Sequence, residues 1–272
     1  MEQLKHKRIA LIGGGHITEI ILDNLIANQT LLPEQVIVSN RSGGKLRHLE
    51  SRFGVTTTLN NLVAIQQADL ILINVPPSNV PSVIQDLESA DLNLSQIVIS
   101  LAAGISLNRY GSLHLNQPLV RALPNPPSRI GQGVIALHFN QAVSDEQAGL
   151  VHTFFSTMGQ VVTIEEAHFN VVTALTSPVA TYLFFEALVD AGVRGGLKRP
   201  TATEIAAQTI LGSMGVWQDG DSSPYQLMAE ASTPAGISVE SLFTLEKLGF
   251  KPTVMEAIAQ GAARAEELGS SQ

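Results

Sequence analysis

The stretch RIALIGGGHITEIILDNLIA, residues 8–27, decides how this chain is read. Residues 8–12 are a short apolar run of the kind a buried strand uses. Residues 18–27 repeat their apolar side chains at helical spacing. Three glycines join the two runs. Glycine accepts the backbone conformations of a tight turn, and the amides at the start of the following helix have no intrahelical partner, so they attract an anion. Gly13 and Gly15 take the first two glycine places of G-x-G-x-x-G, while Thr18 stands in the third. In that loop the first glycine permits the turn, the second lets backbone amides approach a pyrophosphate, and the third serves close helix–strand packing. Thr18 therefore crowds the packing, leaves the anion site in place and adds a hydroxyl near the phosphates. A glycine-rich turn without a ligand is the alternative.

The next strand separates the two common dinucleotides. NAD-binding folds of this type place an acid about 20 residues beyond the glycines, on the ribose hydroxyls. Here the strand ends VSNRSGGK, with Ser39, Asn40, Arg41 and Ser42, then Lys45, and no acid among them. A guanidinium at Arg41 can stack on adenine and pair with a 2′-phosphate, to which Ser42 can donate a hydrogen bond. This points to NADP; a solvated basic turn is the alternative.

Further apolar runs follow at residues 70–75, 97–102, 133–137 and 159–164, with a helical pattern near 45–53. Continuous apolar strands between helices indicate a parallel sheet covered on both faces. Beyond residue 164 the pattern becomes helical, over roughly 166–193, 201–218, 224–231, 238–248 and 253–268. The fold class expected is α/β: a Rossmann-type doubly wound sheet in residues 1–164, then an all-helical domain in 165–272. The closing GSSQ is expected to fray. Residues 170–185, NVVTALTSPVATYLFF, are apolar but short for a membrane span, and they contain Pro178; a buried helix is expected.

Composition narrows the class. Charged residues make up 15% of the 272, against about 25% in an average soluble protein, so much surface should be buried, in part against a second copy. A net charge of −8 argues against non-specific nucleic-acid binding. The absence of cysteine excludes disulfides and thiolate chemistry. Seven histidines show no metal-ligand spacing. The first ten residues run straight into a strand and leave no room for a signal peptide, so the cytoplasm is the expected location.

Six segments carry a resemblance: SNRS (39–42), NVPPS (74–78), SLAAGIS (100–106), RALPNPP (121–127), TSPVATY (176–182) and TPAGIS (233–238). In order and spacing the chain resembles the pyrroline-5-carboxylate reductases over nearly its whole length. That family runs through a glycine loop, N-R-S/T, V-K-P-Q, S-x-A-A-G, R-x-M-P-N-T-P, S-G-S-G-P-A-Y and P-G-G-T-T. The resemblance implies that Gly13, Gly15, His16 and Ile17 line the pyrophosphate. It implies that Asn40, Arg41, Ser42 and Asn61 hold the adenosine end of NADP, and that Val75, Pro76, Ala102 and Ala103 flank the nicotinamide half. Glu166 and Thr176 would lie near the substrate. Gly236, Ile237 and Ser238 would open the helix that receives the substrate carboxylate. Ser238 also reads as an N-cap before the amphipathic VESLFTLEKL; a simple cap is the alternative.

Departures cluster where nicotinamide and substrate would meet. They are Thr18, Pro76 and Ser78 in V-K-P-Q, Pro126, Pro178 to Ala180, Ala235 and Ile237. The reaction implied is NADPH-dependent reduction of a cyclic imino acid, 1-pyrroline-5-carboxylate or a substituted analogue, to proline or a proline derivative. Ser238 would be the catalytic hydroxyl, hydrogen-bonding the imine nitrogen. The helical half carries apolar residues on more than one face, and together with the resemblance this implies an intertwined homodimer at minimum, or a higher homo-oligomer, with the active site between the nucleotide domain of one chain and helices of the other. An NADP-binding paralogue without catalysis, acting as sensor or partner, is the alternative.

Overall fold

Alternate residues of a β-strand face opposite ways, and here both directions lead into protein. In a computed structural model describing residues 2–27, 29–111 and 113–270, β1 (Ile9–Ile12) sends Ile9 and Leu11 into one core cluster and Ala10 and Ile12 into another. The same alternation holds for β4 (Leu70–Ile73). Helices therefore cover the sheet on both faces, which is why these strands are apolar throughout.

The first half alternates strand and helix: β1, α1 (His16–Ala27), β2 (Val36–Ser39), α2 (Gly43–Phe53), β3 (Thr56–Thr58), α3 (Asn61–Gln66), β4, α4 (Val80–Ser89) and β5 (Ile97–Ser100). Then come α5 (Leu113–Asn116), β6 (Leu119–Leu123), β7 (Gly133–Phe139), α6 (Asp145–Ser156) and β8 (Gly159–Thr163). The strand order is β3-β2-β1-β4-β5-β6-β7-β8. Its first six members are parallel, and they bear the order of a doubly wound dinucleotide-binding sheet, with the switch point between β1 and β4. The threonine strand β3 and the strand β6 add to the expected set.

One expectation is corrected at the far edge. The runs at 133–137 and 159–164 do extend the sheet, but β7 pairs antiparallel with β6, and β8 is parallel only to β7. The segment 124–132 is too short for the crossover of a dozen or more residues that a parallel neighbour needs.

The helical region begins with a 3-10 turn, Glu166–His168, and α7 (Phe169–Leu175). It continues with α8 (Val179–Arg194), α9 (Arg199–Asp219), α10 (Pro224–Glu230), α11 (Ile237–Lys247) and α12 (Phe250–Ser270). The single helix expected over 166–193 is thus two. Pro178 lacks the amide that would continue the ladder and pushes Ser177 out of helical geometry. Thr176 closes α7, its amide and hydroxyl both bonding the Val172 carbonyl at 2.9 and 2.7 Å. The stretch Glu166–Arg194 has the length and hydropathy of a membrane span, but this break interrupts it.

Two compact units divide the chain: Met1–Thr176 with Gly261–Gln272, and Ser177–Gln260. The first therefore extends past residue 164 and takes back the end of α12. Phe169 is fully buried in it, and Gly269 lies so close to Gly104 that a Cβ on Gly269 would meet the Gly104 carbonyl. Gly269 and Ser270 are helical; Ser271 and Gln272, the rest of the segment expected to fray, lie outside the described residues.

In the second unit α8 packs on α9, burying Val189, Ala202 and Ala206. Arg199 forks across Glu186 and Asp190 at 2.6 and 2.5 Å. The buried helix expected over 170–185 is not buried within this chain: Val179, Tyr182 and Leu183 are 69%, 62% and 71% exposed. Two helices in contact cover one stripe of each other, and α8 carries apolar residues beyond that stripe.

Candidate functional site

The site starts where β1 and β4 end side by side, Ile12 in register with Ile73. The chain leaves β1 at Gly13 with φ +110°, in a region L side chains rarely adopt, and a Cβ there would lie 2.2 Å from the Asn74 carbonyl oxygen. Only glycine fits. Gly13 N donates to the Ser39 carbonyl at 2.7 Å, and Gly14 N to Asn40 Oδ1 at 3.3 Å. A Cβ at Gly15 would meet nothing nearer than Asn74 Nδ2, 3.6 Å away. The helix α1 begins at the next residue, so its first amides open toward this space.

A cavity of about 320 Å³ lies over these strand ends. The glycine loop forms its floor. One wall is Ser39, Asn40, Arg41, Ser42, Lys45 and Asn61, and the other runs from Asn74 to Pro76 and on to Val83. Ser42 is the N-cap of α2, yet its side chain makes no capping bond, which leaves its hydroxyl beside Arg41 and Lys45. A backbone cradle that excludes side chains, free helix amides and two cations with a hydroxyl together suit a dinucleotide carrying an extra phosphate.

Of the residues assigned to the cofactor, Gly13, Gly15, Asn40, Arg41, Ser42, Asn61, Val75 and Pro76 converge on the cavity. Two of these act as braces. Asn40 Nδ2 donates to the Ser42 carbonyl at 3.1 Å while its Oδ1 holds Gly14. Asn61 Oδ1 accepts from the Ser39 hydroxyl, and its Nδ2 donates to Asp86 at 2.8 Å. His16 is exposed and Ile17 packs against the core, and neither side chain lines the cavity. Ala102 is buried in the core past β5 and Ala103 is exposed; neither borders the cavity. Sequence reasoning gave no role to Asn74 or Asp86. Both are polar residues whose importance comes from neighbours 56 and 25 positions away.

Glu166 takes part in a different structure. Its Oε1 accepts from the Leu107 amide at 2.7 Å and from Arg121 at 3.2 Å. It thereby caps the 3-10 turn Leu107–Tyr110 and pairs with a guanidinium that also stacks over Phe169, 4.5 Å from the ring centre. Burial pulls the Arg121 guanidinium down from its ordinary range, against the opposing pull of Glu166. The phenol of fully buried Tyr110 is pushed up to about 12 by the same desolvation. This cluster borders a second cavity of about 570 Å³ with Ser106, Arg109, Asn170 and Glu266 on its walls. Thr176 is occupied in ending α7, and its carbonyl accepts from Asn125 Nδ2 at 3.1 Å.

Gly236, Ile237 and Ser238 open α11 as expected, but the capping role is corrected. Gly236 is the N-cap and Ser238 the second helical residue. The turn from Thr233 closes through Gly236 N donating to the Thr233 carbonyl at 2.9 Å, and the helix starts at once after it. Ser238 is therefore exposed in the first turn, with its hydroxyl free of capping duty. Ala235 stands in this turn at φ +58°, a strained place for a non-glycine residue.

Comparison with known proteins agrees with this layout. Residues 166–268 match the family described as pyrroline-5-carboxylate reductase dimerisation. Residues 8–104 match NADP oxidoreductase coenzyme F420-dependent. The chain is 32% identical to a pyrroline-5-carboxylate reductase of a Synechocystis species, over 96% of this chain and 98% of the relative. It is 34% identical to the enzyme of that name from Corynebacterium melassecola, with the same coverage. Among solved structures it is similar to a pyrroline-5-carboxylate reductase from Coxiella burnetii, with TM-score 0.87 and 29% identity, over 96% and 98% of the two chains. It is also similar to a Plasmodium falciparum pyrroline carboxylate reductase with NADP bound, with TM-score 0.86 and 25% identity, over 97% and 99%.

Proposed function

The chain belongs to the pyrroline-5-carboxylate reductase family, and on that premise we propose that it reduces 1-pyrroline-5-carboxylate to proline with NADPH. The observation that carries this reading is the cavity at the switch point. It joins a glycine cradle for a pyrophosphate to Arg41, Ser42 and Lys45 for a 2′-phosphate, on a chain that matches such a reductase over 96% of its length.

NADPH, when bound, supplies the hydride for the imine carbon. The chain's own residues do the rest. Gly13 and Gly15 let backbone amides approach the pyrophosphate, and Val75 and Pro76 wall the reacting side. Amides in the first turn of α11 hold the substrate carboxylate. The Ser238 hydroxyl hydrogen-bonds the imine nitrogen, where the proton is delivered. An imine is basic enough to arrive partly protonated near neutral pH, so holding it in place matters more than a strong acid. The functional division proposed is 1–164 for the nucleotide and 165–272 for dimerisation and substrate, in a cytoplasmic homodimer whose second copy covers the apolar face of α8.

The test is consumption of reduced nicotinamide on adding 1-pyrroline-5-carboxylate to the purified protein with NADPH, followed by detection of proline. Turnover of the plain imine supports the reading. NADPH binding without turnover, either of this imine or of its methyl-substituted analogues, would return the chain to the role of a nucleotide-binding sensor.

A further inference from the structure

The residue that stands in the third glycine place is tied to one to which the family resemblance assigns no role. Thr18 is fully buried, and its hydroxyl lies 2.5 Å from the Gly13 carbonyl and 2.8 Å from Asn74 Nδ2. A hydroxyl has one hydrogen, and a carbonyl can only accept, so that hydrogen belongs to the Gly13 bond. Thr18 Oγ1 therefore presents lone pairs to Asn74. The Asn74 amide must answer with its NH2 group, and this sets which way the side chain is turned. Its Oδ1 is left as an acceptor, receives no hydrogen bond among the described residues, and belongs to a half-buried side chain on the cavity wall.

We propose that Asn74 is a cofactor-positioning residue, oriented by Thr18 so that Oδ1 accepts a hydrogen bond from a ribose hydroxyl on the nicotinamide half of NADPH. The inference rests on the reading that this cavity holds NADPH. Within that reading the chemistry selects the partner. The pyrophosphate offers only acceptors, which an amide oxygen repels. The adenosine phosphate end belongs to Arg41, Ser42 and Lys45 on the opposite wall. Asn74 directly precedes Val75 and Pro76 and adjoins the glycine loop, its carbonyl beside Gly13 and its side-chain amide beside Gly15. Of the donors on the nicotinamide half, the ribose hydroxyls and the carboxamide NH2, the hydroxyls are the ones next to the pyrophosphate held by that loop. Thr18 thus does more than fill space, because it converts a flippable amide into one of fixed polarity.

The experiment measures dissociation constants by titration without substrate. The two probes are NADPH and 2′,5′-ADP, which has the adenosine end but no nicotinamide half. Asn74→Ala is expected to weaken NADPH about tenfold, the effect of one hydrogen bond of ordinary strength, and to leave 2′,5′-ADP unchanged. Thr18→Val is expected to reproduce that selective loss, Thr18→Ser to retain wild-type affinity, and the Thr18→Val/Asn74→Ala double variant to lose no more than either alone. Equal weakening of both probes would mean a distorted glycine loop and overturn the proposal. So would an unchanged NADPH affinity in Asn74→Ala, or selective loss in Asn74→Ala but not in Thr18→Val. If the wild-type protein binds 2′,5′-ADP and NADPH not at all, the functional reading falls first and this inference with it.

Discussion

Arg41 shows how far a single side chain can be interpreted. It stands on the cavity wall beside Ser42 and Lys45, and no acid shares that turn. Only NADPH carries the 2′-phosphate, so Arg41→Ala is expected to weaken NADPH about tenfold, the equivalent of one charge-assisted bond partly screened by water. NADH affinity should change little. Parallel titrations of the two cofactors check this, and equal losses for both would assign Arg41 to adenine stacking instead. Gly13 illustrates the opposite kind of residue. Its role is to have no side chain where the Asn74 carbonyl approaches, a requirement that the motif spacing announces but only the neighbouring strand explains.

Elements are held in place by pairs that no periodicity contains. Arg121 on β6 and Glu166 before α7 form an ion pair at 3.2 Å with little exposure, and Glu166 also caps the turn at Leu107. That arrangement joins the end of the sheet, the loop after β5 and the start of the helical region within one unit. Glu166→Ala leaves the buried guanidinium without its partner, so stability should fall by about 3 kcal/mol, read as a lower denaturation midpoint. Glu166→Gln keeps an acceptor for the Leu107 amide and should recover part of the loss. A Glu166→Ala protein as stable as wild type, with substrate KM alone raised, would show instead that Glu166 serves the substrate. The break at Pro178 belongs to this scale as well: it divides one apolar run into α7, which joins the sheet unit, and α8, which does not.

For the whole molecule the governing fact is apolar surface. Within the second unit Val189, Ala202 and Ala206 are buried, while Leu183, Leu211, Phe243 and Leu248 are each more than 60% exposed. Apolar area on this scale calls for a partner surface, and a second copy is the partner expected for a chain matching a dimerisation family over 166–268. Light scattering at micromolar concentration should return at least twice the 29.0 kDa of one chain. Leu183→Glu, placing a charge on the exposed face of α8, should lower that mass toward the monomer. A monomeric wild type would overturn the assembly.

Local preferences were enough to place the strands that flank the glycine loop, the turn at Gly13, the cationic patch at Arg41 to Lys45 and the change from alternating to purely helical pattern. Each depends on residues close together in the chain, where backbone sterics and side-chain spacing act directly. Pro178 was equally local, and its break could have been read. Other features depend on residues that meet only after folding. The reversal of β7 follows from a connection too short to cross the sheet. The cap at Gly236 follows from how the Thr233 turn closes. The polarity of Asn74 follows from a hydroxyl 56 positions earlier in the chain, and the clamp on Glu166 from an arginine 45 positions away. The sequence alone determined the fold class and pointed to NADP as the cofactor, because short-range sterics and charge specify them. Tertiary structure alone decided which polar atoms are already occupied and which remain free for a ligand, because a hydrogen-bonding group can be assigned only when every neighbour that could satisfy it is in place.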